Sequence, residues 1–315
     1  MTSSTEIVLR LCGLAKTFRQ GIAQREVEAV RGIDLEVYAG EIFGFLGPNG
    51  AGKSTTMKVA MGLISASAGH VEVFGGRIGD LNVRRRIGYL PEHPYFYTYL
   101  TAFEILDFYG SLFGMDRGQR RARIEELLDL VGLRDARDRR LRGFSKGMLQ
   151  RVGIAQALIN DPDLVVLDEP LSGLDPIGRR EVRSIIVSLR EQGKTVFFSS
   201  HILHDIETIC DRVAIIAAGR LVRLGPLDDL LEDSEEQMVS MAVIGLGAAA
   251  LEALGTQGAQ VREVARGHEI HVFSEHRDEA MKQILSAGGR ITQVQPLRES
   301  LEELFIREAD DHDNA

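Results

Sequence analysis

The sequence predicts an α/β domain interrupted by a helical insertion and followed by a small α+β module. Three features predict this. Apolar runs of strand length (Ile42–Leu46, Leu164–Leu167, Thr195–Phe198) recur between segments of helical spacing, as in a buried parallel sheet. Residues 93–160 interrupt that pattern with consecutive amphipathic helices. The charge changes sign near residue 225. Residues 1–224 hold 30 Lys and Arg against 27 Asp and Glu, and residues 225–315 hold 7 against 19. The expected organisation is therefore a domain over 1–225, a linker over 226–236 and a module over 237–315.

Taken in order, Ile7, Leu9 and Leu11 alternate with Val8, Arg10 and Cys12, which predicts a first strand ended by Lys16-Thr17-Phe18-Arg19. After a polar loop, Ala29 to Val37 reads as a second strand leading to Ile42-Phe43-Gly44-Phe45-Leu46. Next comes Gly47-Pro48-Asn49-Gly50-Ala51-Gly52-Lys53-Ser54-Thr55, then a helix from Thr55 to Leu63. The nine residues fit G-x-x-x-x-G-K-[ST], and strand, glycine loop and helix is the context of a phosphate-binding P-loop. Glycines let backbone N–H groups turn inward onto phosphate oxygens, and the helix N-terminus adds positive potential there. Lys53 is placed to bridge the β- and γ-phosphates, and the Ser54 hydroxyl to hold Mg2+. A chance glycine-rich turn would require neither the strand nor the helix.

Val71 to Phe74 with Gly75-Gly76 reads as strand and turn, and Arg86 to Leu90 as a short strand stopped by Pro91-Glu92. Thr101-Ala102-Phe103-Glu104 fits a capping box. Phe103, Leu106, Phe108 and Leu112 follow at near-helical spacing, and Arg121 to Val131 is a second amphipathic helix. The sheet resumes at Leu164–Leu167. A helix over Arg179 to Gln192, the strand Thr195 to Phe198, a further helix, and strands Val213 to Ile216 and Arg220 to Leu224 complete the domain. Gly193-Lys194-Thr195 imitates the end of a P-loop, but Ser188 stands where glycine is required and the helix precedes the strand, so it reads as a helix C-terminus. A loop from Asp228 to Glu236 leads to strands at Met238–Ile244, Gln260–Val264, Ile270–Phe273 and Ile291–Val294. Helices are expected at Ala248–Leu254, Asp278–Ser286 and, closing the chain, Arg298–Glu308. The order βαββαβ suggests a ferredoxin-like module. Its open sheet face is expected to be apolar and to pair with a second copy or a neighbour.

Composition excludes several classes. With 44% hydrophobic residues, the chain has an ordinary globular core to bury. Its net charge of −9 does not describe a nucleic-acid binder. Cys12 and Cys210 fit no metal spacing and suit a reducing compartment. Residues 1–10 contain no apolar core of signal-peptide length. The longest uncharged stretch, Gln237 to Leu251, is 15 residues, short of the roughly 20 that span a bilayer. No direct membrane span is expected, so any membrane role runs through a partner.

The chemistry centres on Leu164-Val165-Val166-Leu167-Asp168-Glu169, an apolar strand ending in two acids, the usual partner of a P-loop. Asp168 is placed to reach Mg2+, in part through water, and Glu169 to polarise an attacking water. Three further stretches follow: Phe144-Ser145-Lys146-Gly147-Met148 with Gln150-Arg151, Leu171-Ser172-Gly173-Leu174-Asp175, and Ser199-Ser200-His201 ending a strand. Ser145 and Gly147 sit at a helix start, a natural phosphate site. With these motifs in this order the chain resembles the ATP-binding cassette (ABC) ATPases over roughly residues 6–225.

That resemblance implies a P-loop NTPase cassette with an antiparallel β subdomain and a helical subdomain near 93–160. It implies ATP hydrolysis with Mg2+, Glu169 and His201 catalytic, Phe18 stacked on adenine, and Ser54, Glu92 and Asp168 at the metal. It implies two copies head to tail, with ATP between Lys53 of one and Ser145 and Gly147 of the other. It further implies a separately encoded integral membrane permease and a place on the cytoplasmic face of the cell membrane. The signature stretch departs from Leu-Ser-Gly-Gly-Gln at three of five positions, and Glu92 stands where the family usually has Gln. Both departures, with the added module, are similar to ATPases of simple bacterial exporters. The rival reading is a soluble ABC-type ATPase acting on ribosomes or DNA. Such chains usually carry two cassettes or a long coiled coil, and this one has a single P-loop and no heptad array. A regulatory module that binds ATP without turnover would not need Glu169 and His201. His268, His271 and His276 read as structural or solvated rather than metal-binding, because strand residues 268 and 271 face opposite ways. Tyr95, Phe96, Tyr97 and Tyr99 read either as core or as a partner contact.

Overall fold

The computed structural model describes residues 6–20, 25–232, 238–256, 258–264 and 267–297. It starts with two long strands, β1 (Ile7–Gln20) and β2 (Arg25–Tyr38), paired antiparallel. Lys16 to Arg19, expected to end β1, lie inside it and pair with Val30, Glu28, Val27 and Glu26. At this end of the ribbon Thr17 to Arg19 and Glu26 to Glu28 are half-buried or exposed, so polar side chains fit and cross-strand pairing holds the strands. The Arg19–Glu26 ion pair (3.3 Å) is one such pair.

The next elements are β3 (Ile42–Leu46), α1 (Lys53–Ala60), β4 (Ala68–Val73), β5 (Gly76–Arg77), α2 (Leu81–Arg84) and β6 (Ile87–Leu90). Strand β4 pairs with β1 and completes an antiparallel sheet of order β2-β1-β4-β5. The expected helical insertion is present as α3 (Ala102–Leu112), α4 (Arg117–Leu130) and α5 (Lys146–Ala157). Its capping box forms in full: Thr101 Oγ1 accepts from the Glu104 N–H (3.1 Å) and Glu104 Oε2 from the Thr101 N–H (2.8 Å). Ile105, Leu106, Ile124, Leu127 and Leu128 are fully buried within the insertion.

Then follow β7 (Leu164–Leu167), α6 (Pro176–Glu191), β8 (Thr195–Ser200), α7 (Leu203–Ile209), β9 (Arg212–Ala217) and β10 (Arg220–Pro226). Helix α6 starts three residues earlier than its periodicity predicts. Asp175 caps it by accepting from the Gly178 N–H (2.8 Å), and Pro176 takes the first position, where no N–H is needed. Gly193 ends α6 at φ +80°, as its reading as a helix C-terminus requires.

The central sheet has the order β10-β9-β3-β8-β7-β6, parallel except for the β9–β10 hairpin. Its register aligns Leu46 with Ser200, Phe198 with Leu167, and Leu167 with Leu90. Four loops therefore leave the sheet at one edge: Gly47–Gly52, Asp168–Asp175, His201–Ile202 and the turn at Pro91-Glu92. The carboxyl edge of a parallel sheet is where such folds bind ligands.

Contacts divide the chain after Leu227. The expected loop from Asp228 is instead partly helical, as α8 (Leu227–Glu232), with Leu227 and Leu230 buried on one side. The second unit contains β11 (Met238–Ile244), α9 (Ala248–Thr256), β12 (Gln260–Val264), β13 (Gly267–Phe273), α10 (Arg277–Ser286) and β14 (Arg290–Leu297). All its pairings are antiparallel, in the order β12-β13-β11-β14. Val239, Met241, Val243, Ile270 and Val272 pack under Leu254, Ala280 and Ile284 of the helices. The other face of the sheet is mixed rather than apolar as expected, with Ala242 and Phe273 on it beside polar pairs. There Ser240 Oγ donates to Glu269 Oε1 (2.7 Å) and Gln293 Nε2 to Gln295 Oε1 (2.8 Å). The closing helix expected at Arg298–Glu308 lies outside the described residues.

One glycine sets the spacing between the sheet and the insertion. A Cβ on Gly88 of β6 would lie 2.0 Å from the Ala157 carbonyl of α5. Gly88→Ala is expected to destabilise the cassette by about 1–3 kcal/mol, the scale of overpacking. Gly79→Ala, with nothing within 4 Å, should not. Urea unfolding of both variants checks this.

Candidate active site

The glycine loop between β3 and α1 is shaped by close contacts. A Cβ on Gly47 would lie 2.5 Å from the Ile216 carbonyl, and one on Gly52 would lie 2.4 Å from the Ala29 carbonyl. Gly52 also has φ +103°, and Gly50 φ +86°. Pro48 accepts from the Ala51 N–H (3.2 Å), tightening the turn, while Asn49 and Gly50 are exposed. No side chain caps α1, so its first N–H groups remain for an anion. Thr55 sits half-buried in the first turn.

Lys53 is the first residue of α1 and is only 5% exposed. Its Nζ donates to the carbonyls of Gly47 (2.7 Å) and Pro48 (3.0 Å) and lies 3.1 Å from Glu169 Oε1. Ser54 Oγ donates to Asp168 Oδ1 (3.0 Å). Glu169 Oε2 lies 2.7 Å from His201 Nδ1. Glu169 is buried and has φ +49°, a left-handed conformation that costs a non-glycine residue about 1–2 kcal/mol. Five residues singled out in the sequence thus meet: Lys53, Ser54, Asp168, Glu169 and His201.

Ser199 joins them, though the sequence reading assigned it no role. It is fully buried, donates to Asp168 Oδ1 (2.8 Å) and accepts from the Glu169 N–H (2.9 Å). Its position at the end of a buried strand next to the acid-tipped strand was the available signal. Burial pushes the Asp168 carboxyl up from its usual range, and the hydrogen bonds from Ser199 and Ser54 oppose this. Asp168 Oδ2 is buried with no hydrogen-bond partner. An unpaired hard oxygen beside a serine hydroxyl suits Mg2+, which takes one or two carboxylates plus phosphate oxygens. Among the described residues no cluster of three or more His, Cys, Asp or Glu side chains gathers to hold a metal without such help.

The remaining expected residues stand apart. Glu92 is exposed at the end of β6, and its charge acts on Asp168 without a hydrogen bond to it. Phe18 is half-buried in β1, with the Lys16 ammonium 5.1 Å from its ring centre, so it is not core. Ser145 caps α5 by accepting from the Met148 N–H (3.3 Å) and is otherwise exposed. Gly147 is different from the P-loop glycines. A Cβ there would meet nothing closer than Leu174 Cδ2 at 3.9 Å. In the aromatic loop Phe96 is core, whereas Tyr95, Tyr97 and Tyr99 are exposed.

A glycine cradle on a strand–helix turn, faced by an acid-tipped parallel strand, defines a P-loop nucleotide-binding domain. The family model described as ABC transporter matches residues 30–172. The chain is 46% identical to the ABC transporter ATP-binding protein sll0415 of Synechocystis over 94% of its own length and 82% of that protein's. It is 33% identical to the linearmycin resistance ATP-binding protein LnrL of Bacillus subtilis over 88% of its length and 92% of that protein's. Among solved structures it is similar to the ATP-binding cassette MJ0796, in a dimeric post-hydrolysis state bound to ADP and Pi. There the TM-score is 0.63 and the identity 27%, over 70% of this chain and 98% of that one. The chain belongs to the ATP-binding proteins of ABC transporters, ATPases that hydrolyse ATP for transport. Among the described residues no helix is long and apolar enough to cross a membrane.

Lys53→Ala is expected to remove most ATP binding, because the backbone cradle alone leaves the phosphate charge unneutralised. Titration of the full chain with ATP in a calorimeter checks this, and wild-type affinity would count against the assigned site.

Proposed function

We propose that this chain powers an exporter, working as a head-to-tail pair of copies on the cytoplasmic face of the cell membrane against a permease carried by a separate chain. The observation behind this reading is the convergence of Lys53, Ser54, Asp168, Glu169 and His201 at one sheet edge. The γ-phosphate of ATP competes with Glu169 for Lys53, which frees the Glu169 carboxylate to polarise the attacking water. His201 Nδ1, 2.7 Å away, keeps that carboxylate oriented. Ser54 and Asp168 would hold Mg2+, with Glu92 at the end of β6 assigned to the same ion, and the ion would supply positive charge against the phosphates. Phe18 is assigned to the adenine ring.

Gly147 supports the paired arrangement. Its own chain leaves room for a side chain at that position. Nothing in its own chain requires a glycine there, and close approach of the partner's nucleotide would. The resistance function in the name of LnrL supports export over import. Exposed Tyr95, Tyr97 and Tyr99, with Tyr97 6.4 Å from Phe108, support a docking surface for the permease. The C-terminal unit is read as ferredoxin-like on its element order and its strand order β12-β13-β11-β14. A different strand order in an experimental structure would remove that reading.

Glu169→Gln should bind ATP but lose turnover by about 10²–10⁴-fold, the scale of a general base. A phosphate-release assay near the wild-type rate would rule Glu169 out as the base. In the Glu169→Gln background, Gly147→Ala should keep the melting temperature and weaken dimerisation by ATP in size-exclusion chromatography. Unchanged dimerisation would contradict the shared site.

A further inference from the structure

Among the described residues three acids are buried: Asp168, Glu169 and Asp205. The proposed hydrolysis uses the first two. Asp205 lies in the first turn of α7, four residues after His201, and is 1% exposed. Neither of its carboxylate oxygens accepts a hydrogen bond. Arg183 of α6 pairs with it, its Nη1 3.7 Å from Oδ1. Arg179, one turn earlier on α6, also acts on it electrostatically, and the Arg179 Nε is itself buried without a hydrogen-bond partner. Burial raises the Asp205 carboxyl from its usual range, and Arg179, Arg183, His204 and His201 act in the opposite direction.

This arrangement is expensive. A buried polar group without a partner costs about 1–3 kcal/mol, more when charged. A buried pair without close hydrogen bonds is a weak source of stability, and apolar replacement is often neutral or stabilising. Stability does not account for Asp205, so its place in the fold has to. Helix α7 leaves the sheet directly after His201, which contacts Glu169. Helix α6 grows out of Leu171–Asp175, and Asp175 is its cap. The contact between Asp205 and α6 therefore links two helices, each rooted in a loop at the site.

We infer that Asp205 is a positioning residue for hydrolysis: held against Arg179 and Arg183, it sets α7 and hence His201 relative to Glu169. It rests on the reading of Glu169 and His201 as the hydrolytic pair. It acts through His201 and touches neither ATP nor water. Lys53 and the glycine cradle lie on other elements, so ATP binding does not depend on it.

The test is steady-state ATP turnover of the full chain, with melting temperatures measured alongside. Asp205→Asn and Arg183→Gln are each expected to lower kcat by about 10–100-fold, the scale of a small misplacement, with KM for ATP within twofold. Asp205→Glu keeps the negative charge facing Arg183 and is expected to recover more of the rate than Asp205→Asn retains. The Asp205→Asn/Arg183→Gln double variant should lose no more than the worse single variant, as residues acting as a unit do. A kcat within twofold of wild type in Asp205→Asn overturns the inference, as does a KM that rises in step with the loss of rate. If Asp205→Asn does not fold, Arg183→Gln decides alone, because Arg183 is partly exposed and its truncation is tolerated more easily. His201→Ala separates the two readings. A wild-type rate there removes the hydrolytic pair itself, whereas an inactive His201→Ala beside an active Asp205→Asn removes only the positioning role.

Discussion

Lys53, Asp168 and Glu169 are withdrawn from water at one end of a parallel sheet, and the need to compensate their charges organises the cassette around them. A buried lysine is tolerated only where anions and carbonyls surround it. Here Glu169 and the carbonyls of Gly47 and Pro48 do so. Asp168 is compensated by two serine hydroxyls, one from α1 and one from β8. Three separate chain segments must therefore reach the same edge of the sheet in register. The parallel order that places β3 and β7 on either side of β8 brings them there. Compensation remains incomplete at Asp168 Oδ2. That residual demand and the uncapped start of α1 are what the proposed Mg2+ and the nucleotide phosphates would meet.

The glycines divide into two groups with different causes. Gly47, Gly52 and Gly88 are required by their own chain, since a side chain would strike a backbone carbonyl. Gly147 is not. A sequence motif treats all of these as equivalent small residues. Only the packing around each one separates a glycine that the fold demands from one that it does not. The strained backbone at Glu169 belongs to the same account, because its left-handed conformation is held by the Ser199 hydrogen bond and the ion pair with Lys53.

The second unit shows where sequence pattern reaches its limit. The sequence placed strands at Met238–Ile244 and Ile270–Phe273, and in the structure Val239, Met241, Val243, Ile270 and Val272 of β11 and β13 face the helices. That placement carried no information about the opposite face, where the sequence reading supposed apolar character. Ser240 with Glu269 and Gln293 with Gln295 form two polar pairs on that face, so it is not the uniformly apolar surface expected. The stretch expected as a loop from Asp228 starts instead as a short helix, because Leu227 and Leu230 at helical spacing are both buried.

The sequence by itself determined the P-loop, the acid-tipped strand, the helical insertion and the family, because each depends on local spacing: glycines before a helix, an apolar run before two acids, a cap before an amphipathic stretch. It could not determine which side chains would meet. Ser199 bonding to both Asp168 and Glu169, 31 and 30 positions away, and Asp205 buried against Arg183 of α6, join residues far apart in the chain. Strand order and helix packing set such contacts, and nothing in the local pattern encodes them. Phe18 was legible as an aromatic residue near the start of the chain, but that it stands within a strand, half-exposed, was decided by pairing with β2. Local chemistry chose the parts. The burial of charge at one sheet edge, which only the tertiary structure can arrange, decided how they act on one another.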